Sequence, residues 1–387
     1  MKKFTFPSLL NRLVLFSLAV TLPGVFLDRS LAQSAWTAKA SLPIGGNSLS
    51  AAAINGILYV AGGNNGSPMA SLQAYNVTNN TWGSLAAMPG PRYQNPGIGV
   101  ISNKLYFPGG WTISPALPNN NLWVYDPAAN LWTSKASLPL LCAGGVCGVI
   151  SNLLYVTTPD NGYSGYYSYL HVYNPASDSW SALANSPRPH ANPAGGVIGN
   201  KLYVAGGYDG LNNTNILDVY DPASNTWSTK APMHTSRGAP SGAVIDGKLY
   251  VFGGVNGAGV YTNSVEVYDP VSNTWTNETS MPTIRGSSAA GVVNGIVYVA
   301  GGANSGSSAL ATVEALIPTR TSINLYAGIW ISGLAGATYE IDYRTSLASG
   351  TWSNLTTLVL SNSPALFIDT NSPSYNQRFY RSLFLHY

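Results

Sequence analysis

Residues 248–275, KLYVFGGVNGAGVYTNSVEVYDPVSNTW, carry a fixed order of landmarks: an apolar run ending in Tyr-Val, a Gly-Gly pair, a variable polar loop, a run ending in Val-Tyr-Asp-Pro, and a Trp. The same order returns along the chain. Gly-Gly pairs begin at Gly62, Gly109, Gly206, Gly253 and Gly301, and Thr157 and Thr158 stand where a sixth is due, a step of 47 to 49 residues. Tryptophans keep that beat at Trp36, Trp82, Trp132, Trp180, Trp227 and Trp275, and so do Tyr59, Tyr106, Tyr155, Tyr203, Tyr250 and Tyr298. Such a period is read before local structure, because units that cannot bury their apolar face alone must stack on their neighbours. Six units of one design are present.

Within a unit the runs are short, rich in Val, Ile and Tyr, and bounded by Gly, Asn, Asp and Pro, which reads as four strands. In the fifth unit these are GAVI, KLYVFG, SVEVYD and NTWST. The first two are joined by Asp246-Gly247, and the equivalent joints are Asn55-Gly56, Ser102-Asn103, Ser151-Asn152, Gly199-Asn200 and Asn294-Gly295. Asn-Gly and Asp-Gly accept the positive φ angles of two-residue hairpins, so tight antiparallel reversals are expected there. Turns such as YDPASNTW, with Pro222 fixing φ, join the third strand to the fourth.

A period near 48 with four strands and a Gly-Gly after the second strand resembles the Kelch repeat over about residues 36 to 318. The resemblance implies an all-β fold, a six-bladed Kelch-type β-propeller with each repeat forming one blade around a central channel. The chain ends say how the ring closes. The first copy begins at Trp36 with a fourth strand alone, and the last stops at ATVEALIP without one, so AWTAKA near Ala35 to Ala40 is expected to complete the last blade. That latch removes a sheet edge open to aggregation. The first strands are rich in Ala and Gly, as suits strands converging on an axis, while the Tyr and Trp belong farther out, between blades.

Residues 1–32 begin with Lys2, Lys3 and Arg12, run apolar through LVLFSLAVTLPGVFL and end in small residues, the pattern of a secretory signal peptide. The domains are then 1–32, the propeller at 33–320, and 321–387, where INLYAGIWI, YEIDYR, SNLTTLVL, ALFIDT and RFYRSLFL suggest a small C-terminal β-sandwich. This tail resembles the short modules that end many secreted bacterial proteins. The leader holds four of the 18 basic residues and one of the 15 acidic ones, so the rest has no net charge and no basic stripe. Nucleic acid is therefore not an expected partner. No later stretch is apolar enough to span a bilayer, and a secreted monomer is expected. Charged residues make up 9% of the chain, against about 25% in ordinary domains, which leaves neutral hydrogen bonding as the main surface chemistry.

Strand parity puts the second-to-third loops and the blade-to-blade connections on one face, and these are the long, variable ones, where binding residues concentrate. Ten residues after each Trp stand Gly46, Arg92, Cys142, His190, Arg237 and Arg285, expected as a ring around the channel mouth. Converging Arg forks suit carboxylates, whether of acidic sugars or acidic peptides. Tyr93, Trp111 and Tyr208, with Tyr163, Tyr166, Tyr167 and Tyr261, would add flat faces for a sugar or a protein anchor. The competing role for the Arg residues is to tie neighbouring loops through backbone carbonyls, which need partners when buried. Cys142 and Cys147, the only cysteines of an exported chain, are expected to form a disulfide.

The sequence reading is thus a secreted binding protein for a glycan or protein ligand on the long-loop face, using Arg92, Tyr93, Trp111, His190, Tyr208, Arg237 and Arg285, with no cofactor and no metal site. The alternative is a carbohydrate-active enzyme at the same mouth. The resemblance extends to a copper oxidase and to enzymes that isomerise or release sialic acids. However, Cys142, His190 and His234 match no dedicated ligand motif, and Asp160 and Asp209 are the only acids evident in the long loops, with no close carboxylate pair.

Overall fold

A computed structural model describes residues 35–318 except 95, 113–116 and 161–164, and beyond them 327–331, 336–344, 351–359, 365–369 and 379–386. Residues Gln33–Thr319 form one unit and Arg320–Tyr387 belong to another. The expected leader, 1–32, lies outside the described residues.

The first unit is a six-bladed propeller, each blade a four-stranded antiparallel sheet; five run in chain order from the axis outward, and the sixth takes its outermost strand from the N-terminal end of the unit. Blade 5 is representative, with Ser241–Ile245, Lys248–Phe252, Val265–Asp269 and Thr274–Glu278. All six joints between first and second strands place both central residues at positive φ, from Asn55 at 49° and Gly56 at 79° to Asn294 at 51° and Gly295 at 75°, as the primed hairpin turn requires. Blade 6 is closed by the N-terminal strand: Ala35–Lys39 pairs with Val313–Ile317 in the register Ala35↔Ile317 to Lys39↔Val313.

The core lies between blades. Each of the propeller's apolar clusters joins two neighbours, as where Ala52, Tyr59 and Leu72 of blade 1 meet Leu105, Phe107 and Tyr125 of blade 2. The inner strands are thin because the next blade presses on them. A Cβ on Gly99 would stand 2.4 Å from Leu154 Cδ1, and one on Gly148 2.5 Å from Val197 Cγ2. Fully buried tyrosines such as Tyr75, Tyr220 and Tyr268 fill the wider outer wedge, each removing roughly 150–250 Å² from water.

The recurring Asn-x-Trp at each outer turn has a structural role. Asn225 stands at a positive φ of 52° and its Oδ1 accepts from the Tyr220 hydroxyl and from the Ala184 N–H of the preceding blade's linker. The Trp227 indole N–H then donates 2.8 Å to the Ala184 carbonyl. Asn80, Asn130, Asp178 and Asn273 repeat the arrangement, so every described turn of this type ties its blade to the one before.

Blade 3 departs from the pattern. The five Gly-Gly pairs sit at positive φ and turn the chain off the sheet, but Thr157 and Thr158 stay extended. The strands therefore run on as Leu153–Asp160 and Tyr166–Asn174, pairing as far as Asp160↔Tyr166. What reads as a long loop is largely a projecting hairpin.

In the second unit Thr338–Arg344 pairs with Ser353–Val359 on one side and Phe379–His386 on the other, and Ala327–Ile331 pairs with Ala365–Asp369. All five expected strands are present, in two sheets. Among the described residues, no helix is long and apolar enough to cross a membrane.

Candidate functional site

The residues ten places after each Trp are not at the channel mouth. Arg92, Arg237 and Arg285 are 1%, 1% and 0% exposed, and each reaches from the linker that carries it to the next blade. Arg237 shows the geometry. Its backbone joins blade 4, with its N–H donating to the Thr214 carbonyl and its carbonyl accepting from Gly207. Its guanidinium joins blade 5, where Nη1 donates to the Gly253 carbonyl at 3.0 Å and Nη2 pairs with Glu266. Glu266 also accepts from the His234 N–H and the Thr235 hydroxyl, so the buried carboxylate is satisfied on several sides. Arg285 repeats this on Gly301 and Glu314, at 2.8 and 3.0 Å. Arg92 donates 2.6 Å to the Gly109 carbonyl, with the Trp123 ring 3.2 Å beneath it in place of a carboxylate. Burial alone pushes its guanidinium down to about 9, still protonated at neutral pH.

The remaining seams vary the same device. His190 is buried, with Nδ1 2.8 Å from the Gly206 carbonyl and Nε2 3.0 Å from Asp218. Burial by itself would raise the Asp218 carboxyl, but hydrogen bonds from His190 and Thr229 and the nearby charges of His190 and Arg188 hold it below the usual carboxylate range. Cys142 Sγ lies 3.6 Å from the Thr157 carbonyl. Gly46 has no side chain to reach across, and Gln73 bridges that seam instead, exchanging hydrogen bonds with the Ile44 backbone at 2.9 and 3.1 Å.

Two sequence expectations are thereby corrected. The expected ligand role of Arg92, His190, Arg237 and Arg285 fails because each is buried against a backbone carbonyl of the next blade, which is the loop-tying role. The expected disulfide is not formed: Cys142 and Cys147 are not bonded to each other. Cys142 is committed to the blade 2–3 seam, whereas Cys147 opens the inner strand of blade 3 and lines the channel. Desolvation first, then the neighbouring Cys142, pushes the Cys147 thiol up to about 12. Among the described residues, no three His, Cys, Asp or Glu side chains gather as a metal site would need.

The channel mouth itself is formed two residues farther on. Ser48, Gln94, Gly144, Asn192, Ala239 and Ser287 all take positive φ, between 48° and 62°. Backbone hydrogen bonds link Ser287 to Ala239, Ser48 to Ser287, Gln94 to Ser48, Gly144 to Gln94 and Asn192 to Gly144 around the mouth. The sequence signal was available, since these positions hold only Gly, Ala, Ser, Asn and Gln, but the Arg residues beside them drew the reading away.

Below this ring lies a channel cavity of about 370 Å³, whose only titratable lining side chain is Cys147. Beside it a bowl of about 550 Å³ opens against Tyr93, Gln94, Tyr261, Ser287 and the loop Ala303–Ser308, with no charged lining residue. The expected aromatic residues are on this face, except that Tyr163 lies outside the described residues. Tyr93 bridges to Trp111 with rings stacked at 6.5 Å, and Tyr208 packs edge-on against Tyr166 at 5.1 Å. Tyr166 is itself 41% exposed.

Six four-stranded blades with Gly-Gly turns and a strand-closed ring define a Kelch-repeat β-propeller, a protein-interaction or binding scaffold. The chain belongs to the Attractin/LZTR1 beta-propeller family, whose model matches residues 58–313. It is 34% identical over 136 residues to the human Kelch repeat and BTB domain-containing protein 13, covering 34% of this chain and 29% of that protein. It is 32% identical over 109 residues to the camelpox virus Kelch repeat and BTB domain-containing protein 1, 27% of this chain and 19% of that one. The matched region thus spans less than a third of either relative. The solved structure of YjhT superposes with a TM-score of 0.63 at 19% identity, over 71% of this chain and 95% of that one, a likeness of fold.

Proposed function

We propose that this protein is a secreted or surface-exposed binding protein that holds a neutral, hydroxyl-rich ligand, a glycan, on its long-loop face without turning it over. One observation carries the reading: the two openings of this face are lined by hydroxyls, amides, backbone and aromatic rings, with no charged side chain in either. Sugars are held by flat aromatic faces and neutral hydrogen bonds. An acidic ligand would need exposed cations, and the Arg residues that could supply them are buried and paired. Export belongs to the same proposal and rests on residues 1–32 as read from the sequence.

A carbohydrate-active enzyme at the same mouth is the weaker alternative. General acid–base chemistry needs a titratable group poised near the working pH, and Cys147 is held far from it. The test is binding of residues 33–387 to an array of neutral and acidic glycans at low and physiological salt. Neutral glycans are expected to bind equally at both, because uncharged contacts are not screened. Binding confined to acidic glycans and lost with salt would overturn the reading, as would release of an altered sugar.

A further inference from the structure

The bowl is an asymmetric feature on a nearly symmetric ring, and its asymmetry is written in the side chains. At the position eleven residues after each Trp stand Asn47, Tyr93, Ala143, Ala191, Gly238 and Gly286, so a ring is presented at this site only by Tyr93. The long loops of blades 2, 4 and 5 carry Trp111, Tyr208 and Tyr261, whereas that of blade 6 is ANSGSS over Ala303–Ser308. Blade 6 thus offers no ring to the wall. Going round the ring, Tyr261 of blade 5 stands before it and Tyr93, on the connection from blade 1 to blade 2, stands after it.

Both tyrosines are held in place. Tyr93 is bridged to Trp111 through reciprocal backbone hydrogen bonds of 3.2 and 2.8 Å, its ring stacked on the indole. Tyr261 lies over Gly286, where an added Cβ would stand 3.2 Å from ring atoms Cδ1 and Cε1, close enough to press the ring by a few tenths of an ångström. Between them the lining supplies the Gln94 amide and the hydroxyls of Ser287, Ser305 and Ser308. The loop floor is pinned, with Asn304 Oδ1 accepting from the Gly306 and Ser307 N–H groups at 2.9 Å each.

We infer that this bowl is the sugar subsite, receiving one or two pyranose rings of a neutral oligosaccharide between Tyr93 and Tyr261, with the rest of the chain leaving over the small-residue loop of blade 6. The inference rests on the glycan reading above and localises it. Rigid aromatic rings on two sides give stacking without an ordering cost, and hydroxyl and amide groups between them match a ligand that both donates and accepts. A volume of about 550 Å³ suits a short oligosaccharide and falls within the usual ligand-pocket range of about 300–1,000 Å³.

The test uses residues 33–387 and tetramers of cello-, malto-, xylo-, manno- and chito-oligosaccharides, titrated by calorimetry. Wild type is expected to bind at least one tetramer, and Tyr261→Ala to weaken it tenfold or more. Gly286→Ala, which leaves Tyr261 present but displaced, is expected to weaken it severalfold at unchanged thermal midpoint. Ser305→Trp, which puts a bulky ring into the small-residue loop, is expected to reduce tetramer binding while sparing the disaccharide. Tyr208→Ala, on the same face but outside the bowl, is expected to bind as wild type. Loss in Tyr208→Ala with retention in Tyr261→Ala would overturn the location and leave the glycan reading standing. Failure of folded wild type to bind any tetramer would overturn both.

Discussion

The seam between blades 4 and 5 and the seam between blades 2 and 3 occupy equivalent places in the ring and are built differently. In the first, Arg237 spans from its own linker to the Gly253 carbonyl and the buried Glu266. In the second, the residue is Cys142, the carbonyl is that of Thr157, the Gly-Gly turn is absent, and a neutral His171 replaces the carboxylate. Desolvation lowers the His171 pKa, keeping it uncharged where no cation faces it. The contrast shows how one staple is assembled from three parts. At Arg237 the long cation meets a buried acid and a tight glycine turn whose carbonyl it can reach, whereas at Arg92 the Trp123 ring takes the place of the acid. Blade 3 has lost all three, and the strand released by the missing glycines has become the hairpin that carries Tyr166, Tyr167 and Tyr169 outward.

Breaking the stronger seam should show the difference most clearly. Arg237→Ala strands the Glu266 carboxylate in the core, and is expected to cost about 3 to 5 kcal/mol in urea unfolding, the usual range when one partner of a buried pair is removed. The double replacement Arg237→Met with Glu266→Leu should cost much less, because no charge is left behind. A single variant no more harmful than the double would show that the pair is not what holds this seam.

The seam of intermediate chemistry, His190 with Asp218, gives a pH test. Because the folded carboxyl is held below its unfolded value of about 4, its contribution is present at neutral pH and is lost as pH falls through the carboxylate range. Asp218→Asn should therefore melt below wild type at pH 7, and the gap should narrow as pH falls below the unfolded value of about 4. A gap that stays constant would mean that the hydrogen bonds, rather than the charge, are what matter.

The smallest effect is expected at the relaxed seam. Cys142→Ala removes one buried sulfur with only a weak contact to the Thr157 carbonyl, and should cost about 1 kcal/mol, as for other small core truncations. A loss rivalling that of Arg237→Ala would erase the distinction between the two seams.

Most of the fold was legible because a propeller repeats its instructions. The hairpin joints, the Gly-Gly turns and the complementary ends Trp36 and ATVEALIP each state one geometric requirement, and the structure meets them. The seams were harder to read. Spacing from Trp located Arg92, Arg237 and Arg285 correctly in the connections but could not say which way they point. The clue lay one strand away, where Trp123, Asp218, Glu266 and Glu314 match Arg92, His190, Arg237 and Arg285 in kind. A cation that changes in step with a strand residue is paired inside the molecule. The bowl was not legible as a site at all, since it depends on which separate connections and loops the ring brings together, although Tyr93 and Tyr261 were both named from the sequence.

The closing strand has a kinetic consequence. Ala35–Lys39 joins Val313–Ile317 across almost the whole propeller chain, and contacts of such long separation are the slowest to form. The segment made first must therefore wait for the blade made last. During that interval five blades can assemble while the sixth stays incomplete, and a second copy's free strand could fill the vacancy as readily as the chain's own. Dilution during refolding should thus favour the closed ring, and crowding should favour exchanged dimers.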